Sequence, residues 1–188
     1  GIFDGDGEPL DLSGDLVVID LSAQWAAATM PLAALSAVAA AQRVAGRGAL
    51  GYLVLDEAWA LLADPPAVRW LQGSWKLARA RGLSHVLVIH RFSDARAAGD
   101  RDSAQRERAH GLLRECETSW LFRQPPDEAT EIARALGLSP GEVRCLAGLG
   151  RGAALVRYGP HRSVVRVVPS VRDSSFIDTD AAMRGEPQ

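Results

Sequence analysis

The sequence predicts an α/β fold with a mostly parallel sheet, and three observations carry that prediction. Short apolar runs bounded by turn residues recur at Leu16–Asp20, Leu50–Leu55, Ser84–His90 and Thr118–Arg123, and such runs read as buried strands. Between them lie segments of helical composition or helical spacing, the alternation that marks crossover connections. The second run stops abruptly at the adjacent carboxylates Asp56 and Glu57. That places both at the carboxyl edge of the sheet, where open α/β folds bind ligands.

Composition narrows the class. With 188 residues, 47% of them hydrophobic and 23% charged, the chain is long enough to bury the core of a globular domain. A net charge of −2 argues against a globally basic nucleic-acid binder, though it leaves room for a local basic patch. No apolar run approaches the roughly 18 to 20 residues of a membrane span. The alanine-rich stretch Ala23–Ala45 is interrupted by Gln24, Pro31, Gln42 and Arg43. The opening residues lack a secretory signal pattern. Cys116 and Cys145 stand without the spacing of a zinc site or a disulfide framework, and read as small core residues of a cytosolic protein. Lys76 is the only lysine.

Taken in order, Gly1–Gly14 is a Gly-, Asp- and Pro-rich loop before the Leu16–Asp20 strand. Ser22 offers an N-cap, and Pro31–Val44 is helical by propensity. Gly46-Arg47-Gly48 leads into the Asp56 strand. A short helix to Ala63 follows, then a second opened by Asp64-Pro65-Pro66, whose Val68, Leu71, Trp75 and Ala78 form a stripe facing the sheet. Arg79-Ala80-Arg81-Gly82 closes that helix with glycine at C′. After the third strand, Phe92–Asp102 reads as a surface loop or frayed helix, and Ser103–Glu115 as a charged helix with Leu112 and Leu113 inward. The fourth strand precedes a helix from Pro125 to about Leu136. Ser139-Pro140-Gly141-Glu142 is a capping box that opens another helix. Ala153–Tyr158 and Ser163–Val168, joined by Gly159-Pro160-His161-Arg162, form a hairpin. No repeat or low-complexity linker interrupts the series. The expected organisation is one domain over residues 1–170 and a polar, partly ordered tail over 171–188.

The chemistry concentrates at two strand ends. Asp56 is placed to hold hydrated Mg²⁺ and Glu57 to polarise a water, the arrangement of a nucleotide hydrolase. The competing reading is a strand followed by an acidic first helical turn, which the helix dipole favours. His90 ends the next strand, where an imidazole can donate to a phosphate oxygen or accept from a water. The competing reading there is a strand-end histidine that simply meets solvent.

The segment Ala78-Arg79-Ala80-Arg81-Gly82-Leu83-Ser84-His85-Val86-Leu87-Val88-Ile89-His90-Arg91 resembles the part of the FtsK–HerA pumping ATPases that follows Walker B. Leu53-Val54-Leu55-Asp56-Glu57-Ala58-Trp59 with Leu61-Leu62 looks closer still to the conjugative-transfer ATPases of type IV secretion systems, the VirB-four and TraC/TraG-like proteins. The downstream series also fits: Arg123-Gln124-Pro125-Pro126, then Leu136-Gly137-Leu138-Ser139, then Gly150-Arg151-Gly152 entering a hairpin. The resemblance spans Gly1 to about Thr179.

What the resemblance implies is a RecA-like P-loop ATPase core with flanking helices and a C-terminal β-hairpin, using ATP and Mg²⁺. Asp56 becomes the metal residue and Glu57 the catalytic carboxylate. His90 stands where the family usually has glutamine. Arg79 matches an arginine near subunit interfaces, in position for an arginine finger or for simple helix-end pairing; Arg151 is a further candidate for a phosphate or a neighbouring subunit. The implied setting is a hexamer or other oligomer, cytoplasmic or peripheral at the inner face of the membrane, bound to a secretion or conjugation complex and moving DNA or protein. One element is absent. A P-loop needs a Gly-x-x-x-x-Gly-Lys-Ser/Thr cradle, and none occurs here. In the family it lies upstream, so the expectation is a C-terminal part of a larger ATPase, inactive alone, with the P-loop strand missing between the His90 and Trp120 strands. Two alternatives stand beside it: a non-catalytic interaction domain that retains the fold, and an FtsK/HerA-type DNA translocase.

Overall fold

The computed structural model describes residues 11–24, 27–45, 50–62, 64–91 and 104–177. The expectations for the first ten residues, for Gly46-Arg47-Gly48, for Phe92–Asp102 and for the end of the tail lie outside them. The chain divides into two compact units, Gly1–Glu115 and Cys116–Gln188.

The first unit runs from a 3₁₀ turn at Ser22–Gln24 through α1 (Met30–Ala45), β1 (Gly51–Leu55), α2 (Trp59–Leu62) and α3 (Pro65–Ala78). A second 3₁₀ turn at Arg79–Arg81, β2 (Leu83–Leu87) and α4 (Ala104–Glu115) complete it. β1 and β2 are parallel, with Gly51 opposite Leu83 and Leu55 opposite Leu87. α3 begins as the sequence dictates. Asp64 accepts from the Ala67 amide at 3.2 Å and proline fills the first turn. The Gly82 C-cap (φ 64°) closes the 3₁₀ turn, its N–H donating to the Arg79 carbonyl.

The core forms where α1, α2, α3 and α4 converge, with Leu62, Val68, Leu71 and Leu112 fully buried. Burial of each leucine is worth about 1.5–3 kcal/mol relative to exposure. Leu55, Leu87 and Ile89 pack against this cluster from one face of the strand pair. The other face is uncovered: Tyr52 is 80% exposed and Val54 58%.

Two expectations are corrected. Leu16–Asp20 forms no strand among the described residues, and Leu16 and Val18 are 84% and 80% exposed. An apolar run becomes a strand only by exchanging backbone hydrogen bonds with a partner, and this run has none in the described ladders. The sheet is also not mostly parallel. Among the described residues only β1 and β2 pair that way; β3 (Thr118–Leu121) belongs to an antiparallel sheet of order β3-β4-β5 with β4 (Ala153–Tyr158) and β5 (His161–Arg166). β3 takes its partner from the nearby hairpin, and β2 and β3 share no ladder.

The second unit adds α5 (Pro126–Leu136), α6 (Pro140–Gly148) and α7 (Val171–Ile177). The α6 capping box forms as predicted: Ser139 Oγ accepts from the Glu142 amide, and Glu142 Oε2 accepts from the Ser139 amide at 2.7 Å. Those bonds, with Arg162 as a further contributor, hold the Glu142 carboxyl below its ordinary range. Arg162, from the hairpin, donates to Glu142 Oε2 at 3.0 Å and to the Leu136 carbonyl at 3.3 Å. It thereby ties β5 to both helices. Leu146, Ala154 and Leu155 lie buried beneath. α7 opens the polar tail, and Ser170 and Asp173 cap it through reciprocal side-chain and backbone bonds.

Candidate active site

The site is built by the backbone where β1 ends. Leu55 O accepts from the Val88 amide at 2.9 Å, and Val88 O accepts from the Ala58 amide at 3.0 Å. These two bonds bracket Asp56 and Glu57 and continue the strand pairing one step beyond β2. They therefore carry His90 to the same sheet edge.

Glu57 itself is forced out of ordinary geometry. Its φ of 51° is the only positive value at a non-glycine residue among the described residues, a conformation costing roughly 1–2 kcal/mol for an L-residue with a full side chain. The carboxylate gains two donors in return. His90 Nε2 lies 2.6 Å from Glu57 Oε1, and the Trp59 indole N–H donates to Glu57 Oε2 at 2.8 Å. A carboxylate offers about four acceptor positions, so lone pairs remain on both oxygens. His90 is 65% exposed and Glu57 33%, so the pair faces solvent from one side.

Asp56 continues the uncovered face of the strand and is exposed. Its Oδ1 accepts from the Glu57 amide at 3.0 Å, which leaves Oδ2 pointing away from the backbone bond. No cluster of three or more metal-ligating side chains occurs among the described residues. A single free carboxylate oxygen suits Mg²⁺ when waters and phosphate oxygens supply the remaining ligands. In that sense Asp56 fits the ion implied by its motif.

Of the predicted site residues, the structure brings Asp56, Glu57 and His90 together. Arg79 sits in the 3₁₀ turn before β2, at the opposite end of the strand pair. Five residues of strand separate the two edges, about 16 Å at 3.3 Å per residue. Arg151 belongs to the second unit, exposed on the turn before β4, where Gly152 takes φ 74° against the Val167 carbonyl. Trp59 was not among the residues singled out from sequence. Its signal was the spacing Glu57-x-Trp59 directly after a strand, which a turn folds into contact.

No family model matches the sequence, and no curated protein matches it. Among solved structures, VirB4 of Thermoanaerobacter pseudethanolicus superposes with a TM-score of 0.70 over 82% of this chain, at 22% identity. This is a VirB4-like fold. The match covers 41% of the VirB4 chain, so the VirB4-like region spans about two fifths of that protein's length.

Proposed function

We propose that this chain is the Walker B-bearing part of a nucleotide-hydrolysing motor of type IV secretion, built on a RecA-like core. The observation that carries the reading is the Glu57 carboxylate, held at the strand edge by His90 and Trp59 beside a free oxygen of Asp56. The VirB4-like fold supports it, as does the ordered series of motifs.

Asp56 would hold Mg²⁺ together with nucleotide phosphate oxygens. The ion, when bound, neutralises charge on the transferring phosphoryl group. Glu57 accepts a hydrogen bond from the attacking water on a lone pair left free by its two donors, and takes the proton as the water attacks. His90 and Trp59 are positioning residues, since both act through the Glu57 carboxylate. The phosphate cradle is not within these residues; Lys76, exposed in the last turn of α3, does not belong to a glycine-rich loop. It must come from another segment or another chain, and the uncovered face of β1 and β2 supports a neighbour packed there. In this reading the working form is an oligomer, with Arg79 or Arg151 offered to an adjacent subunit. Among the described residues no helix is long and apolar enough to cross a membrane; the proposal includes attachment to a secretion or conjugation complex at the inner face of the membrane.

The second reading, a non-catalytic interaction domain of the same fold, is favoured by the absent cradle and by histidine at position 90. Glu57→Gln in the full-length protein separates the two. Turnover of ATP is expected to fall by about 10²–10⁴-fold, the range for a general base, while nucleotide binding followed by fluorescence is unchanged. Turnover equal to wild type, or none in either protein, overturns the catalytic assignment.

A further inference from the structure

In the first unit, α1, α3 and the 3₁₀ turn after α3 line an open groove of about 840 Å³. Arg43 of α1, Arg69 of α3 and Arg81 of the 3₁₀ turn line it, and no carboxylate does. None of the three makes an ion pair among the described residues; Arg81 donates to Gln42 Oε1 at 2.8 Å, and Arg43 and Arg69 are exposed. Three guanidinium groups with no counter-charge among the described residues are unexpected on a chain whose net charge is −2. Like charges gathered on one surface raise each other's energy and concentrate anions.

The shape limits the anion. From Arg69 to Arg81 the groove follows one side of α3, roughly 18 Å at 1.5 Å rise per residue. A base can stack on a protein ring only where it is not already stacked within a duplex, so an aromatic lining selects a single strand. Trp70 rests partly on the core cluster and turns the rest of its indole into the groove. Gly73, three residues on, leaves open space where a side chain would stand. A planar ring beside a bare backbone and flanking guanidinium groups is the combination that takes a stacked base and its phosphates.

We propose that the α1–α3 groove binds the sugar-phosphate backbone of a single-stranded nucleic acid, with Arg43, Arg69 and Arg81 on phosphates and Trp70 under a base. At about 3.4 Å per stacked nucleotide, the groove accommodates about five nucleotides. An acidic peptide would use the arginines but not the ring and the bare glycine, so the phosphodiester is the better match. This site stands independently of nucleotide hydrolysis at Glu57.

The test is fluorescence anisotropy of a labelled oligothymidylate of about 15 nucleotides with the full protein across a salt series. Three phosphate contacts give a slope of log K against log salt near −2. Arg43→Gln and Arg69→Gln, both on the surface and neutral to folding, should each reduce that slope by about 0.7. Arg144→Gln, exposed in the second unit, should leave it unchanged. A slope that neither groove substitution moves overturns the proposal. So does polyglutamate of equal charge that displaces the oligonucleotide at equal concentration, since that outcome makes the groove a peptide site.

Discussion

Two histidines five residues apart on the same strand line have opposite fates. His85, on β2, faces inward; His90, just beyond it, faces water. At His85 a buried relay can be read by donor logic. Arg81 can only donate, so it fixes Gln42 Oε1 as the acceptor and turns the Gln42 amide nitrogen toward Ser74 Oγ. The same amide nitrogen lies 3.4 Å from His85 Nε2 and can only donate, so Nε2 is the acceptor there and from the Ser74 hydroxyl at 3.0 Å; the ring's hydrogen then stands on Nδ1, which is buried and has no partner among the described residues. Trp75 stacks on the ring with centroids 4.6 Å apart. At His90 the partner is instead a carboxylate on a strained, solvent-facing turn. The same imidazole serves the fold where burial keeps it neutral, and is available to chemistry where a carboxylate and water meet it.

The comparison makes separable predictions. Gln42→Leu leaves Arg81 and Ser74 without their partner inside the protein, and should destabilise the first unit by about 1–3 kcal/mol in urea unfolding. His90→Ala should leave that midpoint in place, because the side chain is mostly exposed, while lowering ATP turnover of the full-length protein about tenfold, the size of one charge-assisted hydrogen bond. Trp59→Phe should act in the same direction. Equal shifts in stability from the Gln42 and His90 variants would erase the distinction.

A smaller effect is expected at Glu57. Glu57→Gly removes the side-chain strain at φ 51° and should raise stability by about 1 kcal/mol, offset in part by the lost freedom of glycine, even as turnover disappears. The smallest is a pH effect. Burial, with Arg81 second, holds the His85 imidazole below its ordinary range. The neutral ring is therefore favoured on folding. Its contribution is fully present above about pH 6.5, the unfolded value, and is lost as pH falls through the lower folded value. The urea midpoint of wild type minus that of His85→Phe should shrink with falling pH below about 6.5; a difference that grows would reverse the assignment.

What the sequence disclosed follows from how far each feature reaches along the chain. The α6 cap and the α3 start depend on residues three or four apart, and the structure shows them as read; the hairpin forms as well, but its turn is only Gly159-Pro160 and its second strand is His161–Arg166 rather than Ser163–Val168. The meeting of Asp56, Glu57 and His90 was also legible, because parallel strands that end in polar residues deliver them to one edge. Leu16–Asp20 misled because its composition says apolar and extended but cannot name a partner. The α7 cap was missed because aspartate stands at Asp173, where the familiar box has glutamate or glutamine. The Arg81–Gln42–Ser74–His85 relay draws on four separate elements, and nothing in the local pattern of any of them announces the others.

The two backbone bonds at Val88 have a practical consequence. Because the amides of Val88 and Ala58 are both committed across the turn that holds Glu57, their exchange with deuterium reports whether that turn is closed. Slow exchange at these two positions, against fast exchange across residues 16–20, would map the integrity of the site in a sample that contains no nucleotide at all.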